Sequence, residues 1–157
     1  MWTAVVGVSL MAACGEGEPE PRPSTPTPTR PPVTITCNAA LNAGSSPYTV
    51  EGNVLRLGSG SQALELQRAA AGSPDMPVYG TWTIPVGPMT GDPALLARAQ
   101  LKIVAKMRIE SGRVTVTSEC SSTGGNTTAT ASSAATVTSS ALTVHASAQD
   151  QKTLTIP

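Results

Sequence analysis

Phenylalanine is absent from this chain of 157 residues, and only two tryptophans and two tyrosines stand in for it. A surface that stacks bases or sugars on aromatic rings therefore has little to be built from. Charge of one sign is missing too. Ten basic and ten acidic side chains cancel, and from Val33 onward the count is eight against seven. No global field gathers polyanions, so nucleic acid is not an expected partner. With one histidine and three cysteines, no ligand set stands at metal spacing, and no metal or other cofactor is expected. What is plentiful is Ser, Thr, Ala and Val. The core must be small and aliphatic, with Trp82, Tyr48 and Tyr79 as its only bulky pieces beyond residue 32.

The longest apolar stretch, WTAVVGVSLMAA at 2–13, is shorter than the roughly 20 residues a spanning helix needs. It has the length of a signal-peptide core. The run ends Met11-Ala12-Ala13-Cys14, which resembles the lipobox of bacterial lipoproteins. That resemblance implies cleavage after residue 13, acyl chains on Cys14, and a membrane anchor. No Lys or Arg precedes the run, and Met stands where Leu is usual, so an N-terminal strand of the domain is the alternative. Residues 15–32, GEGEPEPRPSTPTPTRPP, hold no large apolar side chain and cannot order themselves by burial. They are expected to form an extended tether of about 55 Å, at roughly 3 Å per residue. The domain order is then a leader (1–13), a lipidated cysteine with its linker (14–32), and a folded domain (33–157). By the family's sorting habit, Gly15 after the cysteine implies the outer membrane of the cell envelope.

Removing Cys14 leaves Cys37 and Cys120 as a pair in an oxidising compartment. Phase supports them: Val33, Ile35 and Cys37 share one strand face, as do Val114, Val116 and Cys120. A disulfide is the leading reading and two buried thiols the other. Alternation of period two runs through the rest. PYTVEGNVLRL reads as a hairpin turning at Glu51-Gly52-Asn53. ALELQR follows with Leu64 and Leu66 inward, then VYGTWTIPV with Val78, Trp82 and Ile84 on one face. In DPALLARAQLKIVAKMRIE a helical turn is expected at 93–97 and a long strand over 99–110. A turn at Ser111-Gly112 leads to RVTVTSEC. NTTATAS, AATVTS, ALTVHAS and KTLTI complete a series of short strands. There is also an internal echo, because SSPYTVEGNVLRLGSGSQ (45–62) aligns without gaps to SSAATVTSSALTVHASAQ (132–149). The fold class is all-β: an antiparallel meander closing as a barrel, or a two-sheet sandwich.

Gly80-Thr81-Trp82, opening a strand before a long meander, resembles the G-x-W element of lipocalin-like barrels. With YTVEGNVLRL, GRVTVTSEC and TVTSSALTV, it is similar to small bacterial lipoproteins that carry such barrels. The resemblance implies that Gly80 and Trp82 are structural and that Trp82 plugs the closed end.

Chemistry-bearing residues are sparse. His145 falls opposite in phase to Leu142 and Val144 and faces solvent. Gly58-Ser59-Gly60-Ser61 lacks the lysine and the helix of a phosphate loop. Glu51, Glu65, Glu110 and Glu119 are scattered, so no catalytic residue is assigned and the chain is not expected to be an enzyme. Arg98, Lys102, Lys106 and Arg108 share a polar strand face. Such a row discourages edge aggregation, or contacts anionic surfaces near an anchored protein. The expected function is a lipid-anchored, monomeric binding or structural module, with holding a small apolar ligand in the barrel as one form of it. The alternative is an anchored protein-binding module facing another envelope protein. An anchored inhibitor is one example: small β-barrel lysozyme-inhibitor lipoproteins are similar in lipobox, disulfide and first strand, although AAAGSPDMPVYG stands in place of their inhibitory loop.

Overall fold

In the computed structural model, residues 8–12, 33–86 and 93–156 are described. The two turn signals that punctuate the alternating pattern most sharply, Gly52-Asn53 and Ser111-Gly112, both join adjacent antiparallel strands, with Gly52 and Gly112 in the left-handed region at φ 59° and 80°. Eight successive strands form a closed barrel: β3 (Gly44–Glu51), β4 (Val54–Leu57), β5 (Leu64–Ala71), β6 (Gly80–Ile84), β7 (Lys102–Glu110), β8 (Arg113–Ser122), β9 (Gly125–Val137) and β10 (Ala141–Val144). Each pairs with the next, and β10 returns to β3, with Leu142 opposite Ser46. This is the antiparallel barrel, rather than the open sandwich.

The strands that begin and end the domain stand outside the barrel. β2 (Val33–Leu41) and β11 (Ala148–Ile156) pair antiparallel through nine consecutive positions, from Val33 opposite Ile156 to Leu41 opposite Ala148. β1 (Val8–Ala12) lies on the other edge of β2, with Val8 opposite Cys37 and Ala12 opposite Val33. The β2–β11 ribbon packs on β8 and β9 where these run past the barrel wall. Extended residues alternate faces but do not name their partners, so the pattern located these strands without showing that they leave the barrel.

Three boundaries differ from the sequence pattern. NTTATAS and AATVTS are one strand, the 13-residue β9, because the single Ser133 between them is too short a spacer for a turn and neither Gly nor Pro stands beside it. The helix α1 spans Pro93–Ala99 and runs two residues beyond the expected turn, so β7 starts at Lys102. Leu96 and Ala99, three apart on α1, pack beside Leu101, Ile103, Ile35, Leu154 and Ile156, while Ala97 is exposed. Helical spacing overrode the alternation at 97–101. Gln100, at φ 49°, ends the helix in the left-handed region. β6 also starts at Gly80, leaving Val78 in the preceding loop.

The barrel interior is filled. Leu55, Leu57, Leu66, Trp82, Met107, Ile109, Val114, Val116 and Leu142 are all buried in one cluster. Alanines 105, 129, 131 and 135 face them, so a wall of small residues compensates for the few bulky ones. The outer face is polar, with Thr81, Thr83, Lys106, Arg108, Thr115, Thr117, Thr128 and Thr130 exposed or half-buried. An apolar outer band of the kind that faces lipid is not formed by these strands. Among the described residues, no helix is long and apolar enough to cross a membrane.

Candidate functional site

One end of the barrel is organised by Arg68. Phase along β5 puts Leu64, Leu66 and Arg68 on the same side, and Arg68 pairs directly with Trp82 of β6. Its guanidinium lies 4.3 Å from the centroid of the indole. The same group donates to Pro77 O at 2.8 Å and to Tyr79 O at 3.3 Å, which holds the loop 72–79 over the barrel mouth. That loop inserts Val78 and Tyr79 into the core, with Met76 packed against it. Trp82 is completely buried, and its Nε1 donates to Val78 O at 2.9 Å. Gly80 at φ 142° has no room for a side chain, since a Cβ would fall 2.6 Å from Ala70 O. Gly80 and Trp82 therefore make the crossing of β5 and β6 possible and fill the barrel beneath it.

The other end is closed by Ala39 and Leu41 of β2, which join the main core, and by the α1 cluster beside them. Cys37 and Cys120 form a disulfide across this junction, with Cα atoms 6.1 Å apart. The buried Ser118 hydroxyl sits alongside, its Oγ 3.5 Å from Cys37 Sγ and 4.0 Å from Cys120 Sγ. The inward phase of both cysteines and their pairing are as the alternation implies.

Outside the plug, a groove of about 380 Å³ runs between the end of β5, the start of β6 and the β7–β8 turn. Gly72, Ser73, Tyr79, Thr81, Arg108 and Glu110 contribute to its walls. Arg108 pairs with Glu110 at 2.6 Å, so this end of the groove carries both signs of charge.

Of the four basic residues expected on one face, Lys102, Lys106 and Arg108 lie on β7. Arg98 does not, because α1 extends through it to Ala99. Lys102 is exposed and Lys106 half-buried, and with Arg108 tied to Glu110 the row is a weak cationic strip. His145 is exposed and shares a 2.6 Å hydrogen bond with Thr136 Oγ1. Ser59 and Gly60 sit in a bend and 3-10 turn between β4 and β5. Cys14 lies outside the described residues. Among those described, no three His, Cys, Asp or Glu side chains gather as a metal would need.

Burial raises the Tyr48 hydroxyl above its ordinary pKa, and the neighbouring Tyr79 adds to the effect. Tyr48 donates to Thr138 O, tying β3 to the β9–β10 turn. No family model, curated protein or solved structure matches the chain. Arg68 is the site residue that the sequence reading passed over. The signal was present in its phase with Leu64 and Leu66, which marks a charged residue pointing inward and in need of a partner.

Proposed function

We propose that the chain is a lipid-anchored, non-catalytic module of the bacterial cell envelope, held to the outer membrane through Cys14 and working by surface contacts rather than by carrying a ligand inside. The observation that carries the second half is the filled barrel. Trp82, Leu55, Leu66, Met107 and Val114 occupy its axis without exposure, the loop 72–79 covers one mouth, and β2 with α1 covers the other. An apolar ligand would have to displace packed side chains, at a cost of about 2–5 kcal/mol for each large one moved out. Of the two binding modes the sequence suggests, this favours contact with another envelope protein over a small apolar ligand.

The anchor reading rests on the order of leader, Cys14, proline-rich tether and domain. It is supported by the Cys37–Cys120 disulfide, which suits an oxidising compartment. Lys102, Lys106 and Arg108 then stand where anionic headgroups are near, each contributing at most about 1 kcal/mol. The test has two arms. Cys14→Ser should release the protein from the membrane fraction, and unchanged association would overturn the anchor. An environment-sensitive apolar dye should show no saturable, stoichiometric binding to the native protein. A one-to-one complex that Leu66→Trp abolishes would restore the ligand-carrier reading.

A further inference from the structure

The three-stranded sheet runs in the order β1, β2, β11, so β2 has β11 on one side and β1 on the other. β1 is residues 8–12, the apolar core of the leader proposed for removal at Cys14. Cleavage there strips β2 of its neighbour along Val33–Cys37. The tether that remains cannot take the place of β1. Proline at nearly every second position lacks the N–H that a ladder needs.

The two edges of this ribbon are built differently. β11 carries Asp150 and Lys152, and the Asp150 carboxylate accepts from Thr130 N of β9 at 2.9 Å, so that side is tied down. β2 reads VTITCNAAL, with no charge, no proline and no register shift against β11. Edge strands that meet water normally carry such protection. β2 has the composition of a strand covered on both sides.

We propose that processing at Cys14 uncovers the β2 edge and that a second copy of the chain covers it, β2 pairing antiparallel with β2 across a two-fold axis. The inference rests on the anchor reading above and departs from the monomer expected in the sequence analysis. A two-fold axis at Ile35 sets Thr34 opposite the Thr36 of the other copy on the outer face, twice over. Cross-strand Thr–Thr pairs of this kind are favourable. It sets Ile35 opposite Ile35 on the inner face and brings Val33 into register with Cys37. An isologous pairing of this kind closes on itself and leaves as edges only the two β11 strands, which carry Asp150 and Lys152. The two tethers leave from Val33 at opposite ends of a five-residue pairing, about 15 Å apart. A stalk of about 55 Å lets both reach one membrane, where anchoring raises the local concentration.

The experiment compares the processed protein extracted from membranes with Cys14→Ser, which keeps the leader. Mass spectrometry reads the N-terminus, and light scattering after size exclusion reads the mass. The processed form should have twice the protomer mass and Cys14→Ser the protomer mass. Thr34→Lys/Thr36→Lys, which sets lysines against lysines across the axis, should halve the mass of the processed form with its unfolding midpoint little changed. An excess of a synthetic peptide of residues 4–13 should do the same to the unaltered processed form. A processed protein that is folded and monomeric overturns the dimer while leaving the anchor standing. A dimer that survives the lysine pair also overturns it, since its interface then lies elsewhere. An intact leader on the wild-type chain overturns the anchor and the dimer together.

Discussion

Removing the Cys37–Cys120 bridge should cost more than any other single perturbation of the domain. The bond closes a loop with a sequence separation of 83, and on the chain-entropy account such a loop restrains the unfolded state by about 4.5 kcal/mol at 25 °C. The native side adds a local term. Cys37 and Cys120 are both buried, and their sulfurs are where β2 meets β8. Cys37→Ala/Cys120→Ala removes both, leaving the Ser118 hydroxyl without its sulfur neighbours and β2 held only by its ladders in the terminal sheet and by side-chain packing. The double variant is the right probe, because either single change leaves a reactive thiol. Urea unfolding of the oxidised wild type and the variant measures the effect. With a slope of about 2 kcal/mol per M, the midpoint should fall by roughly 2 M. Hydrogen exchange should localise the change, with amides of β2 and β11 losing protection before those of β5 to β7. A midpoint shift below about 0.5 M would refute the reasoning, because the terminal ribbon would then be held by its ladder and not by the bridge. So would a loss of protection spread evenly over the barrel.

Other expectations follow from single contacts. Gly80→Ala drives a Cβ to 2.6 Å from Ala70 O at a φ that side chains avoid, so a loss of at least about 2 kcal/mol is expected in thermal unfolding. Gly52→Ala, with open space around its Cβ, should cost only about 1 kcal/mol. Arg68→Ala removes the cation over Trp82 and both carbonyl contacts to the plug loop, about 2–3 kcal/mol. Arg68→Lys should recover only part of this, since an ammonium does not reproduce the planar fork, and full recovery would show that charge alone matters. For Tyr48 the folded pKa is raised, so the unfolded chain loses its proton first, near the ordinary value of about 10. Above that pH the unfolded state binds fewer protons and stability falls until the folded value is passed, with no contribution at neutral pH. Tyr48→Phe should flatten that alkaline limb in denaturant titrations, and an unchanged limb would place the titrating group elsewhere.

How far the sequence reveals the fold depends on what alternation encodes. It tells which side chains share a face, and so it placed Ile35 and Cys37 inward, Leu66, Trp82 and Ile84 on the core side, and His145 outside. It also located the hairpin at Glu51-Gly52-Asn53, where turn chemistry is local. It says nothing about which strand a strand pairs with. For that reason the alternation runs β2 and β11 into the same meander as the barrel, although they form a ribbon beside it. Where two periods fit the same residues, as at 97–101, only the tertiary neighbours decide. Ile35, Leu154 and Ile156, which lie far off in the chain, offer a surface that Leu96 and Ala99 cover at helical spacing, while Ala97 stays exposed. The plug was illegible for a related reason. Gly72 to Tyr79 has the Pro and Gly content of a solvent loop, yet Val78 and Tyr79 are buried because Arg68 fastens the carbonyls around them.

The internal echo has a structural counterpart that bears on how the barrel closes. The gap-free match of 45–62 to 132–149 sets Ser46 against Ser133, Tyr48 against Ala135, Leu55 against Leu142 and Leu57 against Val144, and all eight are buried. Val50 and Val137, also matched, are both half-buried against the core. One segment is the β3–β4 hairpin, and the other is the end of β9 with β10. These two hairpins are neighbours, because β10 pairs with β3 to complete the ring. Closure therefore brings together two stretches with the same inward pattern and nearly the same turn length. At the seam Tyr48 N donates to Ser140 O at 3.0 Å, and the Tyr48 hydroxyl donates to Thr138 O. The side chain in which the copies differ most, Tyr against Ala, is the one that crosses from the first hairpin to the turn of the second. The hydroxyl that reaches Thr138 O is needed on one hairpin only, which is a reason for the echo to be imperfect at that position.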